Sequence, residues 1–121
     1  MKYGQIDKPE EFFHQLGGLH DARIETFKWV PPESQVLIGI DDLNSNFLDL
    51  PEYKGLLPVT LIFSNVQKMI IGVDPIQKIL NIFDLETKLS TAHINVIIKF
   101  SPGGKMEFTC SSIEVQEKRT N

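Results

Sequence analysis

This sequence contains a single cysteine, Cys110. A single cysteine can form neither an intrachain disulfide nor a zinc site of several cysteines. A chain without a disulfide framework is typical of a reducing compartment, and the first ten residues lack the apolar core of a signal sequence. We therefore expect a cytoplasmic protein in which Cys110 points inward as a small hydrophobe.

Positive charge and long apolar runs are also scarce. The 121 residues carry a formal net charge of -4, with a pI near 5.3, whereas non-specific binding to nucleic acid needs clustered lysine and arginine. No apolar run approaches the roughly 20 residues that span a bilayer. These absences predict a globular protein with neither a nucleic-acid nor a membrane partner.

Sequence motifs of catalysis are missing as well. The three histidines, His14, His20 and His93, do not share the spacing that places two imidazoles on one metal ion. There is no Gly-x-Ser-x-Gly nucleophile elbow, and residues 101–105 lack the upstream glycine and the following Ser or Thr of a phosphate-binding loop. We expect no metal, no cofactor and no enzymatic activity.

The hydrophobic pattern predicts one domain over residues 1–121. A proline, two acids and a glycine pair frame a short helix at residues 9–16. From residue 22 onward the pattern favours strands. We assign them to residues 22–30, 35–41, 59–63, 68–73, 94–100 and 106–110, the last extended by Ile113 and Val115.

Residues 74–89 fit two interpretations. Asp74 and Pro75 could begin a helix, with apolar residues at helical spacing behind them. The apolar run at residues 78–85 also suits a buried strand, which we slightly favour. The whole chain then predicts an α+β fold: a strongly twisted, mainly antiparallel sheet of about six to eight strands, with the N-terminal helix packed on it.

Acidic residues concentrate near one long connection, residues 42–58. Residues 1–60 hold ten acids and five bases, against six and seven in residues 61–121. Acids beside apolar anchors suit a surface that steers and holds a basic protein. Alternatively, the apolar residues of this loop fold back on the core. The candidate partner-binding residues are Asp41, Asp42, Phe47, Asp49, Glu52 and Tyr53.

A second candidate site is the pair His20 and Asp21, at the junction of helix and first strand. An imidazole beside a carboxylate could act in acid–base chemistry. A curved sheet could enclose a pocket for a small molecule near this pair and Trp29. The structural interpretation, which we favour, is that Asp21 accepts backbone N–H bonds at the turn while His20 packs beneath the helix.

Residues 16–24 read Leu-Gly-Gly-Leu-His-Asp-Ala-Arg-Ile, and in this stretch the chain resembles small bacterial immunity proteins of polymorphic toxin systems, of the immunity protein 50 type. Residues 63–66 and 104–110 also resemble that family's strand signatures. The resemblance implies a non-enzymatic cytoplasmic protein that neutralises a cognate toxin, and it assigns His20 and Asp21 to the junction. It identifies no toxin-contacting residue, and a basic toxin is our inference from the acidic loop. Edge strands could also pair two copies into a homodimer.

Overall fold

Antiparallel strands make up most of the protein. The computed structural model describes residues 4–74 and 78–118. Short 3-10 turns lie at Gly17–Leu19, Pro31–Glu33 and Ser45–Phe47. Within the described ranges, the helix and the strands are β1 (Gly4–Gln5), α1 (Pro9–Gln15), β2 (Ile24–Val30), β3 (Gln35–Ile40), β4 (Val59–Ser64), β5 (Gln67–Gly72), β6 (Asn81–Leu89), β7 (Ile94–Ser101), β8 (Lys105–Cys110) and β9 (Ser112–Glu117).

The strands form two sheets. One has five strands in the order β1-β9-β4-β3-β2, and the other has four in the order β5-β8-β7-β6. All neighbouring strands are antiparallel. The prediction of an α+β fold with mainly antiparallel strands and a short N-terminal helix is confirmed. The predicted single sheet of six to eight strands is corrected to nine strands in two sheets, counted over the described part of the chain.

The strands divide into two sheets because the chain crosses from one sheet to the other twice. It crosses after β4 and again after β8. Ile113 and Val115 were expected to extend the strand of Cys110, but they lie in β9, beside β4 in the other sheet. The exposed Ser111 separates the two strands, and its N–H donates to the carbonyl of Ser64 at 2.9 Å, which ties the two crossings together.

The core lies between the two sheets. Val36, Ile38 and Ile40 alternate along β3 and are all buried. The rings of Phe63 in β4 and Phe108 in β8 meet edge to face across the sheets, with centroids 4.9 Å apart. Burying a side chain of this size contributes roughly 1.5–3 kcal/mol. Cys110 is buried in the same core, as predicted, and desolvation raises its pKa to about 12.

The sheets are joined at one corner, where the start of β2 meets the start of β6. The N–H of Asp21 donates to the carbonyl of Ile82 at 2.8 Å, and the N–H of Ile82 donates to the carbonyl of Ala22 at 2.7 Å. The N–H of Ile24 donates to the carbonyl of Leu80 at 2.9 Å. Backbone pairing thus continues from one sheet into the other here.

Two predicted strands differ in detail. The favoured strand at residues 78–85 is confirmed as a strand, but β6 runs over Asn81–Leu89. The helix-capping alternative involved Pro75 and Ile76, which lie outside the described residues. The apolar composition of the strand predicted at residues 68–73 suggests a position in the sheet interior, but the structure has β5 at a sheet edge with mostly exposed side chains.

Helix α1 is placed as the sequence predicts. Pro9 lies in its first turn with Glu10 and Glu11, and Phe13 is buried. The helix packs on β6 and ends at Gln15, before two glycines that both have φ of 66°. Within the described residues, no helix is long and apolar enough to cross a membrane.

Candidate functional site

The acidic loop, residues 42–58, connects β3 to β4 at one end of the five-stranded sheet. Its course is ordered by hydrogen bonds to its own backbone and to neighbouring segments. The N–H of Leu43 donates to the carbonyl of Leu57 at 2.8 Å, which closes the base of the loop. The amide Nδ2 of Asn44 donates to the carbonyl of Gly55 at 2.8 Å. Leu43 is buried, so part of the loop's apolar content does fold back on the core.

Asp42 is the central acceptor of the acidic loop. Its side chain is only 4% exposed. Oδ1 accepts the N–H groups of Asn44 at 2.9 Å and Leu57 at 3.1 Å. Oδ2 accepts the hydroxyl of Tyr53 at 2.8 Å. A buried carboxylate is stable where converging donors satisfy it, so Asp42 organises the loop from within and is not available to a partner.

Tyr53 belongs to the same internal framework. Its hydrogen bond to Asp42 is the largest of the effects that raise the pKa of its hydroxyl above 10.0. Desolvation and the charges of Asp42, Asp41 and Asp49 act in the same direction. The neutral phenol therefore remains the donor to Asp42 at physiological pH, and we place Tyr53 beside Asp42 as a loop-ordering residue.

A different set of loop residues faces solvent. All five residues at positions 48–52 are exposed, and we call this segment the loop tip. Leu48 is 58% exposed and Leu50 is 50% exposed. Asp49 and Glu52 lie beside them. The loop tip therefore places two apolar side chains and two acids on the surface.

The remaining predicted loop residues are intermediate. Phe47 is half-buried at the end of the 3-10 turn before the loop tip. Asp41 is also half-buried, and its Oδ1 accepts the N–H of Arg23 at 2.8 Å. Of the six candidate partner-binding residues, only Asp49 and Glu52 are exposed. Leu48 and Leu50 alternate with these acids in the sequence but are not among the six candidates, although both are exposed.

The junction of helix and first strand joins three elements. Gly17 lies against the side chain of Asn46 in the acidic loop, and Gly18 lies against Asp84 in β6. The hydroxyl of Ser45 donates to the carbonyl of His20 at 2.8 Å. A Cβ at either glycine would overlap its neighbour, so the glycine pair serves close approach as well as positive φ.

His20 and Asp21 are partly exposed. The ring of His20 contacts the ring of Phe83 in β6, with centroids 5.4 Å apart. Nε2 of His20 lies 3.5 Å from Oδ1 of Asp21, whose carboxylate is exposed. We expected backbone N–H groups to donate to the Asp21 carboxylate. The side-chain contact of Asp21 in the structure is with His20.

Trp29 does not join this pair. It pairs with Val36 near the far end of β2, whereas His20 precedes the start of that strand. Six residues of extended chain separate Trp29 from Arg23, about 20 Å. Trp29 is 57% exposed. Trp29 therefore does not share a site with His20 and Asp21, and none of the three residues lines either of the two cavities that flank α1.

Two cavities flank α1. One, of about 900 Å³, lies between the helix and the outer face of the four-stranded sheet. The other, of about 800 Å³, lies at the start of the helix, beside residues 89–94. The polar lining of the larger cavity includes Glu10, His14, Lys68, Asp84, Glu86, Lys88, Asn95, Glu107 and Thr109.

Asp84 and Glu86 stand out within the larger cavity. Desolvation, followed by a hydrogen bond with Glu86, raises the pKa of the Asp84 carboxyl. The alternation of Asp84, Glu86 and Lys88 along β6 is the signal that could have located this polar face. Across residues 4–74 and 78–118, no group of three or more His, Cys, Asp or Glu side chains is arranged to hold a metal ion.

Comparison with known proteins adds no relative: no protein family, no curated protein and no solved structure matches the chain. The resemblance to immunity proteins therefore stays a prediction. Any functional assignment must come from the geometry of the candidate surfaces.

Proposed function

We propose that this chain is a non-enzymatic protein-binding module that holds a basic partner protein through the loop tip. The observation that carries the proposal is the exposure of Leu48 and Leu50 in the same five-residue segment as the exposed acids Asp49 and Glu52. Apolar side chains at the centre of a contact supply most of its affinity, while surrounding charges select the partner.

The internal bonds of the acidic loop favour this role. Asp42 binds donors from both ends of the loop, Asn44 and Leu57, and Tyr53 near its middle. A loop ordered before binding loses less conformational entropy when it meets its partner. The framework thus turns a 17-residue connection (residues 42–58) into a preformed contact surface.

The charge of the loop favours a cationic partner. Asp49 and Glu52 are exposed, and Lys54 is the one basic residue in the acidic loop. Acidic surfaces accelerate association with basic proteins, and the acceleration falls with added salt. Together with the resemblance of residues 16–24, this supports an immunity protein that acts in the cytoplasm on a basic toxin domain.

The test uses the basic polypeptide that copurifies in stoichiometric amount with the tagged protein from its native cells. Asp49→Asn with Glu52→Gln should slow association several-fold at low salt and weaken its salt dependence. Leu48→Ala with Leu50→Ala should mainly accelerate dissociation, because short-range contacts determine the lifetime of a complex.

The matched control removes two exposed acids elsewhere, Glu11→Gln with Glu33→Gln. It makes the net charge less negative by the same amount as the loop-tip pair, so the loop-tip variants must differ from it. Equal association rates for both acid-to-amide pairs, or no stoichiometric partner at all, would overturn the proposal.

The larger cavity favours a second candidate function, the binding of a small molecule. Its volume lies within the roughly 300–1,000 Å³ of ligand pockets, and Lys88 and Asn95 offer donors beside the Asp84 and Glu86 carboxyls. This site replaces the pocket predicted near His20 and Asp21. A metabolite extract that raises the Tm of the wild type, but not of Lys88→Ala with Asn95→Ala, would support it. An unchanged Tm in both would exclude it.

A further inference from the structure

Strand β6 contains a bulge that presents an aromatic ring to solvent. Its pairing with β7 passes from Ile82 opposite Phe100 to Asp84 opposite Lys99, so Phe83 is the extra residue. The Phe83 side chain is 54% exposed. Bulges often redirect a side chain next to a functional site, and aromatic side chains are enriched where proteins bind their partners.

His20 stabilises this presentation. Its Nδ1 lies 2.8 Å from the carbonyl oxygen of Phe83, and its ring meets the Phe83 ring edge to face at 79°. Because a carbonyl only accepts, Nδ1 carries the proton in this bond. The imidazole therefore satisfies the bulged backbone and supports one side of the ring, which leaves the other side for a partner.

The bulge is connected to the acidic loop through the junction. The hydroxyl of Ser45, which precedes the loop tip, donates to the carbonyl of His20 at 2.8 Å. Asp41, beside the loop, binds the N–H of Arg23. We call His20, Asp21 and Phe83 the bulge patch. The hydrogen bonds of Ser45 and Asp41 link the backbone next to the bulge patch with the acidic loop.

The charge around this surface indicates which partner covers it. Asp21 is exposed at the bulge patch, Asp49 and Glu52 are exposed at the loop tip, and Asp41 is half-exposed. The exposed bases of these segments are Arg23 at the junction, Lys54 in the acidic loop and Lys99 opposite Asp84, so the acids outnumber them by four to three. The excess of acid is complementary to a cationic protein and disfavours a second copy of this acidic chain.

We propose that Phe83 is the aromatic anchor of the same contact, inserted into an apolar recess on the basic partner while Asp21 faces a lysine or arginine beside that recess. This inference rests on the proposed function and extends it from the loop tip to the bulge patch. Aromatic side chains are enriched among the residues that dominate binding energy.

The experiment measures the affinity and the dissociation rate of the copurified basic polypeptide for single variants. Phe83→Ala should weaken binding at least tenfold, mainly through faster dissociation, and Phe83→Tyr should stay within threefold of the wild type. The matched control is Leu89→Ala, which removes an exposed apolar side chain at the other end of β6 and should change affinity less than twofold.

The outcomes separate the two proposals. If Phe83→Ala behaves like Leu89→Ala while the loop-tip variants weaken binding, the inference about Phe83 is wrong and the proposed function stands. If Phe83→Ala weakens binding and the loop-tip variants do not, the partner binds the bulge patch and the loop-tip assignment is wrong. The absence of any stoichiometric partner overturns both. Circular dichroism melts that match the wild type would show that Phe83→Ala acts on binding and not on folding.

Discussion

Replacing Asp42 by alanine should destabilise the protein more than replacing any other acid in the acidic loop. The change removes three hydrogen bonds, from Asn44, Leu57 and Tyr53. Bonds to a charged acceptor are worth roughly 1.5–3 kcal/mol each, but water reaches part of the freed donors. The wild type also bears a desolvation cost of several kcal/mol for the buried carboxylate. Together these effects give a net loss of about 3 kcal/mol.

Urea unfolding followed by circular dichroism measures this loss. A single domain of this size unfolds with a slope of about 2 kcal/mol per molar urea, so the midpoint should fall by about 1.5 M. Asp42→Asn keeps one oxygen acceptor and should lose about half as much.

Asp49→Asn is the matched control, because Asp49 is exposed and asparagine tolerates its φ of 69°. It should shift the midpoint by less than about 0.3 M. If Asp42→Ala and Asp49→Asn cost the same, Asp42 does not organise the loop, and the argument for a preformed surface fails.

Three further predictions concern glycine, tyrosine and cysteine. Gly18→Ala should cost about 1 kcal/mol more than Gly4→Ala, since both glycines have φ of 66° but only a Cβ at Gly18 meets Asp84 and the backbone of Leu85; equal losses in thermal unfolding would contradict the clash. The raised pKa of Tyr53 means that its contribution to stability is present below pH 10.0 and is lost as pH rises through the folded-state pKa. An absorbance titration should show Asp42→Asn lowering that pKa, with Tyr53→Phe assigning the signal. Because the Cys110 pKa of about 12 exceeds the ordinary 9.0, native protein at pH 8 should hold about a thousandfold less thiolate at this site. A thiol reagent should therefore label Cys110 rapidly only in urea, and fast labelling without urea would show that the core opens.

Sequence periodicity predicted α1 and most of the strands, but it did not predict β1, and it joined β9 to β8. The alternation of Val36, Ile38 and Ile40 reports one buried face of a strand, and Pro9 with its following acids reports a helix start. These signals are local, so they can be interpreted without knowing which strand pairs with which. Periodicity could not show that β8 and β9 lie in different sheets, because both alternate in the same way and only the bend at Ser111 separates them.

Two aspartates of the acidic loop, Asp42 and Asp49, have opposite roles because tertiary contacts, which a local sequence pattern does not report, decide which of them is buried. Asp42 and Asp49 look equivalent in sequence, yet one is buried under three donors and the other is exposed. The donors that bury Asp42 come from residues two, eleven and fifteen positions away. Charge counting located the acidic surface but could not tell its supporting residues from its contacting ones.

The glycine and histidine of the Leu-Gly-Gly-Leu-His-Asp stretch now have a physical explanation that is independent of any partner. Gly17 admits Asn46, Gly18 admits Asp84, and His20 binds the carbonyl of the bulged Phe83. A stretch that makes these contacts can occur wherever a short helix is joined to a sheet corner and a loop, whatever the protein binds. The predicted resemblance to immunity proteins therefore bears on the scaffold and not on the partner. In the proposed function, the choice of partner depends on side chains that the scaffold leaves exposed, and Leu48, Asp49, Leu50, Glu52 and Phe83 are residues of that kind. Exchanging these five while keeping residues 17–20 should change the partner and preserve the fold.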